Sequence, residues 1–214
     1  MNTELWITQI VPDTRDRAVL ADLRDATRLH RRVMTVFPDG LGPSARRQTA
    51  ALFRLEEQPT GFAILIQSTL KPALNNLPAG YGTARTKSLA LLLAGLTEGA
   101  NIHYRIIANA TRKLGKNTTA GRPKQVVPLY GAEADQWWHR QADSAGLVLR
   151  SLHSSQLSTV TGQRQGNGRV THARTQFDGT ATVTDPSALT EKIRSGIGRG
   201  KSFGCGLLTI APAP

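Results

Sequence analysis

Two successive runs of strand–helix–strand–strand order within 214 residues predict an α+β chain. The expected architecture is two tandem ferredoxin-like (RRM-like) domains with antiparallel sheets. Two further observations support it. Apolar residues switch between a two-residue and a three-to-four-residue step, with Pro, Gly and Asp punctuating the changes. The length also allows two small cores, which divides the chain into 1–97 and 98–214.

Leu5 to Val11 (LWITQIV) is β-branched and aromatic, which predicts a strand. Pro12-Asp13 then opens one helix, with Asp13 as N-cap and Val19, Leu23, Ala26, His30, Val33 and Phe37 on one apolar face. Pro38-Asp39-Gly40 ends it. Ala50 to Glu56 and Gly61 to Ser68 predict two strands, and Arg85 to Leu96 is compatible with strand or short helix. In the second half Ile102 to Asn109 predicts a strand, and Lys113 to Lys124 a polar mobile loop. Glu133 to Ala145 predicts a helix whose Trp137 and Trp138 suit a core or a protein contact. Leu147 to Val160 and Val170 to Val183 predict strands joined by Thr161 to Arg169 (TGQRQGNGR). Asp185-Pro186-Ser187 opens a final helix, and Leu207 to Ala211 is a closing strand.

The charge is lopsided. There are 27 Lys and Arg against 15 Asp and Glu, a formal net charge of +12 and a pI near 10.8. Residues 1–98 hold 12 basic and 9 acidic residues, whereas 99–214 hold 15 and 6. Gly99 to Ala132, Ser144 to Phe177 and the end beyond Ile193 are free of acid. Surfaces that merely solubilise mix the two signs, so three single-sign stretches predict an electropositive face for a polyanion. One Cys excludes an internal disulfide framework and suits a reducing compartment. The start lacks a secretory pattern, and the longest apolar run, Leu89 to Leu96, is too short for a bilayer. A soluble, cytoplasmic protein without membrane partners is expected. His30, His103, His139, His153 and His172 are scattered and Cys205 stands alone, so neither a metal nor another cofactor is expected.

Gly196 to Leu208 reads GIGRGKSFGCGLL. Gly200-Lys201-Ser202 match the end of a nucleotide phosphate loop, but Ser195 stands where its first glycine belongs. Gly204 and Gly206 would break the helix such a loop opens, and only 12 residues follow Ser202. A nucleoside triphosphatase is therefore excluded. Exposed backbone N–H groups beside Arg199 and Lys201 would instead form an anion-binding concavity. More glycines are present than a tight turn alone requires.

This stretch resembles the Gly-rich signature of the Cas6 superfamily of CRISPR repeat-processing endoribonucleases, and within it the type I-E members, the RNA-processing subunits of Cascade. Leu29-His-Arg-Arg-Val-Met-Thr-Val-Phe-Pro-Asp39 is similar to the family's first-helix motif, a His followed by Phe-Pro, and Tyr104-Arg105 to Lys113 to the segment opening the second domain. The resemblance implies two ferredoxin-like domains that bind a repeat hairpin. It implies metal-independent cleavage of pre-crRNA at the base of the stem, retention of the crRNA, and other Cascade subunits as partners.

Such cleavage uses the RNA's own 2′-hydroxyl as nucleophile and yields a 2′,3′-cyclic phosphate and a 5′-hydroxyl. An imidazole suits the proton transfers because its pKa lies near neutrality. Periodicity alone would make His30 a core residue; the resemblance makes it the catalytic His. Thr27, Arg31 and Lys201 are the candidates to support it, and Arg31 and Arg32 beside it could stabilise a phosphorane-like charge. Some relatives carry Tyr at the position of Thr27, whose hydroxyl is a poor acid or base. A weakly active or inactive hairpin-binding subunit is therefore the alternative expectation. For RNA binding the resemblance and the charge pattern together nominate Arg105, Lys113, Lys116, Arg122, Lys124, Arg164, Arg169, Arg199 and Lys201, with Gly198, Gly200 and Gly204 of the loop. Arg164 and Arg169 sit on a turn similar to the family's arginine-bearing hairpin.

Overall fold

A computed structural model describes residues 4–119, 121–122, 124–164 and 168–213, excluding the side chains of Pro43, Gln163, Arg164, Arg169 and Val170. Strand β1 (Trp6–Pro12) leads into helices α1 (Arg17–Arg24), α2 (Ala26–Met34) and α3 (Ala45–Gln48). Strands β2 (Leu52–Gln58), β3 (Gly61–Ser68) and β4 (Gly82–Ser88) complete an antiparallel sheet in the order β2-β3-β1-β4. Ile10, Phe53, Ile64 and Ile66 of this sheet pack against Val19, Leu29 and Val33 of the helices. Residues 69–81 hold Pro72, Pro78 and two asparagines, and form a loop with one 3-10 turn (Leu74–Asn76) where a second helix would lie.

The single first helix expected from the apolar face is in fact two. Asp25 adopts an extended conformation (φ −126°, ψ 114°), and its carboxylate accepts from the N–H groups of Thr27 (2.8 Å) and Arg28 (2.9 Å). This side-chain cap ends α1 and starts α2, a competition that apolar spacing does not register. Asp16, not Asp13, caps α1; Asp13 binds Arg15.

After α4 (Ala90–Ala94), the second sheet begins with β5 (Asn101–Ala108). A hairpin of β6 (Thr111–Lys113) and β7 (Val126–Pro128) precedes α5 (Gly131–Asp143), β8 (Leu147–Leu149), β9 (His153–Arg164), β10 (Gly168–Val183), α6 (Pro186–Ser195) and β11 (Leu208–Pro212). The order is β11-β5-β10-β8, with β9 also pairing β10. Both sheets thus have ferredoxin-like strand order, and β8 and β9 share one position. Trp138 stacks on Phe177 in the second core and Trp137 lies beside it, so both belong to packing.

The linking segment 89–100 packs on the second core through Leu89, Leu93, Leu96 and Ala100, and Leu5 joins that core from the chain start. Arg54 fastens the two sheets together. Only 2% exposed, it donates from β2 to the carbonyls of Arg105 and Leu207 (each 3.0 Å), to Thr209 Oγ1 (2.9 Å) and to Glu56. Gln67 adds a buried bond to the Ile193 carbonyl at 2.6 Å.

Candidate functional site

The Asp25 cap presents α2 to the C-terminal loop. His30 is half-buried with its ring stacked on Phe53, centroids 6.0 Å apart. Its Nδ1 is buried without a hydrogen-bond partner, which leaves Nε2 for exchange with solvent or substrate. Burial and then the charge of Arg46 push the imidazole pKa below its usual value. The ring is therefore neutral near pH 7 and able to accept a proton.

The Gly-rich loop packs on α2 through a 3-10 turn, Lys201–Phe203. All five glycines have φ between 73° and 90°, so backbone geometry accounts for the whole run. Gly204 shows the second constraint: it is buried, and a Cβ there would come within 3.3 Å of Phe53. Four loop N–H groups, those of Ile197, Phe203, Cys205 and Gly206, donate to the main-chain carbonyls of Gly206, Gly200, Gly200 and Ile107. The open row of amides expected from the sequence is narrowed accordingly. The loop's direct offer to an anion is Arg199, exposed beside Gly198, and Lys201 next to half-buried Gly200, while buried Gly204 serves the close approach of the loop to β2.

Lys201 Nζ donates to the Ser195 carbonyl at 2.6 Å, and burial, Arg46 and Lys192 hold its pKa below the usual range. Arg46, half-buried on α3, is thus felt by both His30 and Lys201, and its own pKa is lowered by burial and Arg47. Sequence analysis missed it. The available signal was a fourth acid-free stretch, Gly40 to Leu55, carrying Arg46, Arg47 and Arg54.

Thr27 lies one turn before His30. Gly162 of β9 packs into the angle between Thr27 and Phe203: a methyl group there would overlap the Phe203 ring and stand 2.6 Å from the Thr27 hydroxyl oxygen. The other neighbour of Phe203 is His172 of β10, with ring centroids 4.7 Å apart. His172 sits at a register irregularity between His172 and Arg174, a kind of bulge that re-aims side chains. It too escaped sequence analysis, because strand alternation does not reveal a bulge.

Of the paired arginines, Arg32 is held by Asp22 (2.8 Å) and lies over the Tyr81 ring at 5.0 Å, whereas Arg31 is exposed. Arg105 is bound by Asp178 and lies 3.9 Å from Glu56, in the cleft between the sheets. Its charge is matched there, which separates it from the other nominated residues. Lys113, Lys116, Arg122 and Lys124 are exposed on the β6–β7 hairpin. Within the described part of that loop, Leu114 N–H donates to the Gln125 carbonyl (2.8 Å), and the Gln125 side chain accepts from Arg122 N–H (3.0 Å). The backbones of Arg164 and Arg169 belong to the β9–β10 hairpin, while their side chains lie outside the described residues. Among the described residues no three His, Cys, Asp or Glu side chains converge as metal ligands, and no helix is long and apolar enough to cross a membrane.

A family model described as CRISPR associated protein matches residues 5–212. The chain is 31% identical to the CRISPR system Cascade subunit CasE of Escherichia coli, over 88% of this chain and 93% of that protein. It is 26% identical to the CRISPR-associated endoribonuclease Cse3 of Thermus thermophilus, over 97% of this chain and all of the relative. A solved structure of the endoribonuclease Cse3 bound to a 19-nucleotide RNA superposes with a TM-score of 0.79 at 25% identity, covering 98% of each chain.

Proposed function

The chain belongs to the CRISPR-associated protein family, among the type I-E relatives of CasE and Cse3, and from that premise we propose that it is the endoribonuclease that processes CRISPR repeat RNA. It binds the repeat hairpin and cleaves pre-crRNA at the base of the stem. It then keeps the crRNA as a subunit of Cascade, in the cytoplasm. The observation that carries this reading is a half-buried imidazole, His30, within the field of Arg46, on a helix packed against the Gly-rich turn that carries Lys201.

His30 Nε2 takes the proton of the 2′-hydroxyl as that oxygen attacks the neighbouring phosphorus. Lys201 and Arg46 offset the negative charge that grows on the phosphoryl oxygens; preorganised cations are effective there because they need no reorganisation. Thr27 lines the same wall without titrating near neutrality. Arg31, Arg199 and the exposed hairpin residues Lys113, Lys116, Arg122 and Lys124 hold phosphates, and Arg164 and Arg169 remain assigned to the stem on the strength of the sequence. Arg105, matched by Asp178 and Glu56, is left to the domain junction.

The test is single-turnover cleavage of CRISPR repeat RNA in excess EDTA. Cleavage persists with the chelator, and His30→Ala slows it by about 100-fold or more while the hairpin still binds. Unchanged cleavage by His30→Ala would defeat the assignment. Binding without any cleavage by the unaltered protein would favour the second reading, an assembly subunit, for which Thr27 in place of a titratable Tyr is the supporting observation.

A further inference from the structure

General acid–base cleavage of RNA has two proton transfers, one from the 2′-hydroxyl and one to the departing 5′-oxygen. His30 supplies the first, and Thr27 is chemically unsuited to the second. One further imidazole reaches the same wall. His172 packs on Phe203, the ring that also meets the Gly162–Thr27 contact one helical turn from His30. It stands on β10 at the register irregularity that re-aims side chains, and is only partly buried.

We infer that His172 is the group that protonates the 5′-oxygen leaving group, an inference that rests on the hairpin-cleaving function proposed above. The 2′-hydroxyl proton passes to His30 as its oxygen bonds to phosphorus. The P–O5′ bond breaks, and its electron pair takes the proton from His172. The products are the 2′,3′-cyclic phosphate and the 5′-hydroxyl, and exchange with water restores both rings. In the free protein, burial and Arg199 hold the His172 pKa below its usual value. A scissile phosphate beside Arg199 acts in the opposite sense and favours the protonated ring. Among the described residues, the charged group facing His172 is Arg199 of the Gly-rich loop. Phe203 of the 3-10 turn, with Thr27 of α2 and Gly162 of β9 behind it, is neutral, and Arg174 on the same strand donates to the Ser158 carbonyl at 2.9 Å.

Two RNAs test this, one native and one with sulfur in place of the scissile 5′-oxygen, because a thiolate departs without a proton. With the unaltered protein, single-turnover cleavage of native RNA falls at alkaline pH, and the sulfur substrate abolishes that limb. His172→Gln slows native RNA about 100-fold, leaves hairpin affinity unchanged, and cleaves the sulfur substrate at the unaltered protein's rate. Retention of the alkaline limb with sulfur, equal losses on both substrates, or no loss on either overturns the inference. His30→Ala separates the levels. If it slows both RNAs while His172→Gln slows neither, only the role of His172 falls; if the unaltered protein binds the hairpin and cuts neither RNA, the cleavage function falls with it.

Discussion

At the scale of single residues, the site is governed by how burial and neighbouring charge set one imidazole. In the proposed role His30 acts as a base in its neutral form, and its pKa lies below the usual 6.5 because of burial and Arg46. The rate therefore holds as pH falls through 6.5 and declines only at more acidic pH. Arg46→Ala removes one of the two causes, so the acid limb moves up toward 6.5; a pH–rate profile of the variant measures this, and an unmoved limb would show that Arg46 does not act on His30. Gly162 makes a steric prediction. Its Cβ position is already filled by Phe203 and Thr27, so Gly162→Ala costs about 1–3 kcal/mol in a denaturation experiment and separates the Gly-rich turn from α2.

At the scale of elements, short polar side chains decide where structure begins and ends. Asp25 makes two capping bonds, and Asp25→Ala costs about 1 kcal/mol, read from the unfolding midpoint. Arg54 is a larger case. Arg54→Ala strands the carbonyls of Arg105 and Leu207 and leaves Glu56 without its close partner, a loss of about 3–5 kcal/mol by chemical denaturation. Most strand positions and the two ferredoxin-like orders were legible in the sequence because β-branched alternation and Gly/Pro punctuation are local signals, but Leu147 to Val160, expected as one strand, is divided into β8 and β9, and the short β6–β7 pair was not read. The Asp185 cap was equally plain, since Pro186 and Ser187 follow it and its carboxylate accepts from Ser187 and Ala188. The split at Asp25 was not legible, because apolar spacing runs through both helices. Arg46 and His172 were not legible either: each joins the site through tertiary approach, one from a four-residue helix and the other from a bulged strand. The glycine run was noticed for its chemistry, while the positive φ at all five positions and the tight packing at Gly204 are steric demands that the sequence reading did not identify.

At the scale of the whole molecule, the two ferredoxin-like sheets, joined by Arg54 and Gln67, bring α2 of the first half against the loop after α6 of the second. The helix that carries His30 near the chain start thus meets a loop more than 150 residues later, and the candidate site draws on both halves. The net charge of +12 is the long-range counterpart of that arrangement. If Arg31, Lys113, Lys116, Arg122, Lys124 and Arg199 each neutralise one phosphate, the plot of log K against log salt has a slope of about −5. Filter binding across a salt series measures it, and a slope near zero would remove the electropositive face from the account. The central claim is that the transcript supplies its own nucleophile to a waiting base. One deoxyribose at the nucleotide 5′ to the scissile phosphate tests it most directly: the hairpin should bind with unchanged affinity and remain uncut. Cleavage of that RNA at the normal rate would contradict the account.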